Sequence, residues 1–149
     1  MSEVGFYHLQ KWPLERALPR LLEKVVESGR RAVLLTGSRE RTEALDELLW
    51  TYNERSWLAH GTVRSGYPEA QPIFLTETED NPNQADVLLV IDGLRPAFAL
   101  EFDRVLDMFD GRDEAAVAAA RERWRDYKAA GAAITYWKQT DRGGWERGG

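Results

Sequence analysis

The chain has 149 residues, no cysteine, 43% hydrophobic and 30% charged residues, and a formal net charge of −5. That composition suits one soluble globular domain with a single core, and it excludes disulfides, thiolate catalysis and cysteine-ligated metal centres. A pI near 5.1 argues against duplex-wide phosphate binding but leaves room for a small basic pocket.

Residues 1–8 lack the basic region and apolar run of a signal peptide, and no apolar stretch approaches the ~20 residues of a membrane span. A cytoplasmic protein without a membrane partner is expected. Val4 to Leu9 reads as a first strand, broken by Trp12-Pro13. Leu18, Leu21, Leu22, Val25 and Val26 recur at helical spacing, with Gly29 as the C-terminal cap. Pro19 fits only the first turn of such a helix, because it removes a backbone donor. Ala32 to Leu35 is a continuous apolar run, as expected for a strand covered on both faces. Ser38 caps a second helix, with Glu40 in its first turn and Ala44, Leu45, Leu48, Leu49 and Tyr52 as its apolar face.

Trp57 to His60 reads as a short strand, 61–71 as loop, and Ile73-Phe74-Leu75 as another strand. Residues 80–84, with Asn81-Pro82-Asn83 inside, carry a strong turn signal. Val87 to Ile91 is the clearest strand, closed by Asp92-Gly93. Phe98 to Met108 reads as a helical turn and then a strand over Arg104 to Met108, ended by Asp110-Gly111. A long helix from Glu114 to Gly131 and a strand from Ala133 to Lys138 follow. Residues 141–149 are Gly-rich and read as a flexible tail, leaving 1–140 as one domain. Strands alternating with helices predict an α/β fold: a mainly parallel sheet flanked by helices.

The long helix holds the most informative pattern. At roughly 100° per residue, Arg121, Arg125 and Lys128 share one stripe, flanked by Trp124. Glu122 and Asp126 point elsewhere, and no acid of this helix sits four residues from any of the three cations. Ala116, Ala120 and Tyr127 form the inward face. A cationic stripe beside an indole, in an acidic protein, is how a site for a carboxylate-bearing partner is built.

Other chemistry is less well specified. Thr36-Gly37-Ser38-Arg39 sits between a strand and a helix, but one glycine and no lysine is not a phosphate loop, and there is no G-x-G-x-x-G. Asp92, Asp103, Asp107, Asp110 and Asp113 could serve a metal-dependent site, or turns and a helix cap. His8 and His60 alone make a weak metal case, and no Gly-x-Ser-x-Gly pentapeptide is present. A nucleotide- or metal-dependent enzyme using Ser38 and the aspartates stands as the alternative function. Direct single-stranded DNA binding through Trp50 and Trp124 needs a basic track that this composition lacks.

Phe6-Tyr7-His8-Leu9, Leu45-Asp46-Glu47-Leu48-Leu49-Trp50, Gln71-Pro72-Ile73 with Asn81-Pro82-Asn83, residues 103–109 and residues 120–131 together resemble the bacterial DNA polymerase III chi subunit family, in order along nearly the whole chain. The resemblance implies a domain like the mononucleotide-binding folds, without established nucleotide chemistry, cofactor or metal. It implies a non-catalytic accessory of the clamp-loader complex in DNA replication. Such a subunit binds the psi subunit on one side and, on another, the acidic C-terminal tail of single-stranded DNA-binding protein, which ends in Pro-Phe; DNA is met only indirectly. Carried over residue by residue, the tail-binding positions are Trp50, Arg121, Trp124, Arg125 and Lys128. Val117 stands where a relative carries a lysine, so that side of the pocket is less cationic. The expected arrangement has Trp50 and Trp124 walling in the terminal Phe while an arginine holds its carboxylate. The psi surface stays open: Trp57, Leu58, Phe98 and Phe102 fit either a partner patch or the core.

Overall fold

The apolar runs become strands of one sheet. In the computed structural model, which describes residues 2–52 and 59–148, the elements in chain order are β1 (Glu3–Leu9), α1 (Leu14–Glu27), β2 (Ala32–Leu35), α2 (Arg39–Thr51), β3 (Ile73–Thr76), β4 (Val87–Val90), β5 (Arg104–Asp110), α3 (Glu114–Ala129), β6 (Ala133–Gln139) and β7 (Trp145–Arg147). The sheet order is β3-β2-β4-β5-β1-β6-β7. Every pairing is parallel except β6 with β7. The α/β expectation holds, and β2, β3 and β4 are buried on both faces, which is why they read as unbroken apolar runs.

The strand order fixes the layers. From β1 the chain moves through α1 to β2 and through α2 to β3, both steps in one direction across the sheet. From β5 it moves through α3 to β6 in the opposite direction. Right-handed crossovers then put α1 and α2 on one face and α3 on the other. The core divides accordingly. Leu18, Leu22, Leu45 and Leu49 join Leu34, Leu89 and Met108 on the first face. Ala120 and Tyr127 join Phe6, Val33, Val90 and Phe109 on the second.

Local signals account for the helix ends. The Ser38 hydroxyl accepts from the Arg41 amide, and Asp113 accepts from the amides of Ala115 and Ala116, as caps do. Gly29, just past α1, takes φ +82°, the left-handed state that ends many helices. The turn at 80–84 is held by Asn81, whose side chain accepts from the Ala85 amide at 2.7 Å and donates to the Ala85 carbonyl at 3.0 Å.

Two expectations give way, and one open alternative is decided. Pro19 lies in the second turn of α1, not the first, and is buried. The helix already starts at Leu14, with Pro13 as its cap, so the ring adds core packing at the loss of one backbone bond. Phe102 is buried and Phe98, partly buried, meets it edge-to-face at 5.0 Å, so both serve the core; of the strand expected at Trp57 to His60, Trp57 and Leu58 lie outside the described residues, and Ala59 and His60 are not in a strand. The segment expected as a flexible tail supplies β7. The Thr140 amide donates to the Gly144 carbonyl and the Gly148 amide to the Tyr136 carbonyl. Trp145 stands edge-on to Tyr7 at 5.0 Å, while Trp137 stacks on the same ring at 6.2 Å. Two aromatic anchors outweigh the glycine entropy around them.

Tyr127 packs inward from α3 with 2% exposure, and its hydroxyl has no hydrogen-bond partner among the described residues. Burial, with the Asp107 charge adding to it, pushes its phenol up to about 12. An unpartnered buried hydroxyl costs free energy. Tyr127→Phe is therefore expected to be neutral or stabilising by about 1 kcal/mol, measured by urea unfolding.

Candidate functional site

A groove of about 520 Å³ runs between α3 and β6 on the second face of the sheet. Helix α3 lends it Val117, Ala120, Arg121, Trp124 and Lys128; β1 lends Phe6 and His8, and β5 lends Phe109. Ile134, Thr135 and Tyr136 of β6 line the opposite wall, with Arg147 and Gly148 at its rim. Among the described residues, none that lines the groove carries a carboxylate. In a chain of net charge −5, that makes the groove a local positive well over an apolar floor.

The helix geometry explains which cations reach it. Ala120, Arg123 and Tyr127 are the buried line of α3. Arg121, Trp124 and Lys128 stand on the flank between that line and solvent, and the Lys128 ammonium lies 5.3 Å from the Trp124 ring, a cation–π distance. Trp124 stays 41% exposed. Arg125 is one step further round the helix, exposed and outside the lining. Among the described residues neither Arg121, Arg125 nor Lys128 pairs with a carboxylate. Asp126, on the far side of the helix, pairs instead with Arg95 at 3.4 Å.

Trp50 is not part of this groove. It sits near the end of α2, on the other face of the sheet and towards the β3 edge. It is 50% exposed and lies against the His60 ring at 4.2 Å. The pocket walled by two indoles is thus replaced by one indole, Trp124, facing Tyr136 and the phenylalanines of the sheet.

Sequence reasoning missed the sheet side of the groove. Phe6 and His8 are two residues apart on β1, and Ile134 and Tyr136 two apart on β6; the strand period puts each pair on one face. That alternation was available, but nothing local said that these strands flank α3. The Tyr136 hydroxyl and His8 Nδ1 are 2.5 Å apart. Gly111 allows the ring its place, since a Cβ there would fall 1.9 Å from the imidazole. Burial, and then the Lys138 charge, push the His8 imidazole below its ordinary range, against the Gly111 carbonyl and Asp110. A lowered folded-state value means that the unfolded chain binds the proton better. The contribution of His8 to stability is then fully present above the unfolded value of about 6.5 and is lost as pH falls towards the folded one. Urea unfolding between about pH 8 and 5.5 should show that loss, and His8→Asn should flatten it.

Also missed was Arg123, to which the helical pattern assigns no role. Its guanidinium bonds both Asp107 oxygens, at 2.7 and 3.0 Å, with 5% and 2% of the two side chains exposed. Burial pushes the Asp107 carboxyl up while the two bonds from Arg123 oppose it. Asp110 and Asp113 follow the turn-and-cap reading: Asp110 accepts from the Arg112 amide and Asp113 caps α3. Asp92 accepts from the Gly37 amide at 2.9 Å and pairs with Arg41 at 3.3 Å. The start of α2, where this kind of fold would hold a phosphate, thus already faces a carboxylate of the chain. Among the described residues, no group of three or more histidine or acidic side chains converges as metal ligands, and no helix is long and apolar enough to cross a membrane.

A sequence model of the family described as DNA polymerase III chi subunit, HolC, matches residues 1–135. The chain belongs to this family. It is 32% identical over 109 residues to the Probable DNA polymerase III subunit chi of Rickettsia prowazekii (strain Madrid E), covering 73% of this chain and 66% of that protein. The matched part is thus just under two thirds of that relative's length. It is 26% identical over 105 residues to the DNA polymerase III subunit chi of Escherichia coli (strain K12), covering 70% of this chain and 71% of that one. Most of the groove falls within the segment shared with the chi family; Tyr136, Arg147 and Gly148 lie beyond residue 135.

Proposed function

We propose that the protein is a non-catalytic accessory subunit of the DNA polymerase III clamp-loader complex, working in DNA replication in the cytoplasm. It bridges the psi subunit and the acidic C-terminal tail of single-stranded DNA-binding protein. The observation that carries the tail half of this reading is the α3–β6 groove: Arg121 and Lys128 above a floor of Phe6, Phe109 and Ile134, with no carboxylate side chain among the described residues that line it. A chain end that joins an aromatic ring to a free carboxylate matches both features at once. Acidic residues upstream of that end are drawn by Arg125, which stays outside on the solvent side of α3. Those outer contacts are exposed, so they are weak and salt-sensitive.

In this reading Arg121, Trp124 and Lys128 form the tail site and Arg125 assists, whereas Trp50 contributes to a separate surface. The psi contact draws on a different part of the molecule. Titration of a fluorescent acidic peptide ending in Pro-Phe tests the proposal. Binding at about micromolar level, roughly 8 kcal/mol, is expected. The same peptide without its terminal Phe should bind far more weakly; equal binding of the two peptides would overturn the reading. Several tails on one oligomeric donor would add avidity without any new contact.

A further inference from the structure

We propose that Tyr136 and His8 form a proton-gated carboxylate reader in the groove: protonation of His8 frees the Tyr136 hydroxyl to donate to the bound chain end. This rests on the groove being the peptide site and names how that site is regulated.

The geometry sets out two states. His8 Nδ1 lies on the Tyr136 hydroxyl and its Cδ2–Nε2 edge lies over Gly111, where the backbone favours a protonated ring. We assign the proton of the neutral ring to Nε2 on that side, so that Nδ1 accepts the phenolic hydrogen. Tyr136 then offers the groove only lone pairs, which repel a carboxylate. When His8 takes up a proton, Nδ1 becomes a donor to the Tyr136 oxygen. The phenolic hydrogen then turns into the groove. Arg121, whose charge acts on the Tyr136 phenol, stands beside it. A carboxylate bound there accepts from both side chains, and one proton enters from solvent for each chain end captured.

The charges around His8 decide when this happens. Lys138 on β6 disfavours the imidazolium, and Asp110 on β5 favours it. Arg121 and Lys128 face the groove from α3, with Arg147 at the β7 rim. In the free protein, burial and Lys138 hold the ring neutral; a bound carboxylate offsets both. Tyr136 lies just outside the segment matched by the family, so the reader is argued from this chain alone.

The test uses the full chain and an acidic peptide ending in Pro-Phe, with a free or an amide-capped terminus, at about pH 8 and about pH 5.8, where peptide aspartates stay ionised. The free-carboxylate peptide should bind wild type about fivefold more tightly at the lower pH, with net proton uptake in calorimetry across buffers of different ionisation enthalpy. The capped peptide should show no such gain. Tyr136→Phe, which keeps the ring and its packing, should remove most of the pH response of the free-carboxylate peptide, leaving only the pull of the imidazolium charge itself. An unchanged pH response in Tyr136→Phe, or an equal response with the capped peptide, overturns the gate. Arg121→Ala separates the two levels. If it weakens binding at both pH values while wild type shows no pH response, only the gate falls. If it weakens nothing, the groove reading falls as well.

Discussion

Arg121→Ala is expected to weaken capture of an acidic, Phe-terminated peptide by about 2 kcal/mol, roughly thirtyfold. The arginine lines the groove, one turn before Trp124 and two before Lys128, and no carboxylate among the described residues competes for it. A two-pronged contact from a planar guanidinium to a chain-terminal carboxylate is the strongest polar contact this groove offers. Arg125→Ala is the internal comparison. It shares the helical stripe but stays in solvent, where an ion pair is worth about 0–1 kcal/mol, so a loss below about fivefold is expected. Trp50→Ala should leave peptide affinity unchanged, because α2 lies across the sheet. Anisotropy titrations at two salt concentrations check all three. Equal losses for Arg121→Ala and Arg125→Ala would mean that the stripe acts as a diffuse charge and not as a groove.

Arg123→Met is expected to destabilise the fold by about 3–5 kcal/mol. The change leaves the Asp107 carboxylate, 2% exposed, inside the second core without its two hydrogen bonds. Stranding one charge costs far more than the net worth of the pair, because the pair had itself given up hydration. At roughly 2–4 °C per kcal/mol for a chain of this size, the melting temperature should fall by about 10 °C. The double variant Arg123→Met with Asp107→Leu should recover most of the loss, since neither charge is then left in the core. Thermal unfolding of the two variants settles the point: a double variant as unstable as the single one would show that the pair is needed for more than mutual neutralisation.

Much of the fold was legible because the signals that specify elements are local. Four consecutive apolar residues at Ala32 to Leu35 sufficed for a buried strand, and Ser38 and Asp113 sit where caps were expected. The helical wall of the groove was legible for the same reason: the spacing of Arg121, Trp124 and Lys128 already defines one flank of a helix. Arg123 was not legible as a core residue. Its partner, Asp107, lies 16 positions away on a different element, and no periodicity links the two. The tail was misjudged because glycine count is a weak guide when Trp145 has Tyr7 to dock against.

The sequence by itself determined the elements, their order, the apolar faces and the cationic flank of α3, since each depends on residues within a turn or two of one another. Only the tertiary structure decided which strands stand side by side, and with that which helix lies on which face. Trp50 and Arg121 part company because the chain crosses the sheet one way through α2 and the other way through α3, and right-handed crossovers then fall on opposite sides. His8 and Tyr136, 128 positions apart, meet beneath Arg121 for the same reason: β6 adds beside β1, a pairing set by the whole sheet and written in no single segment.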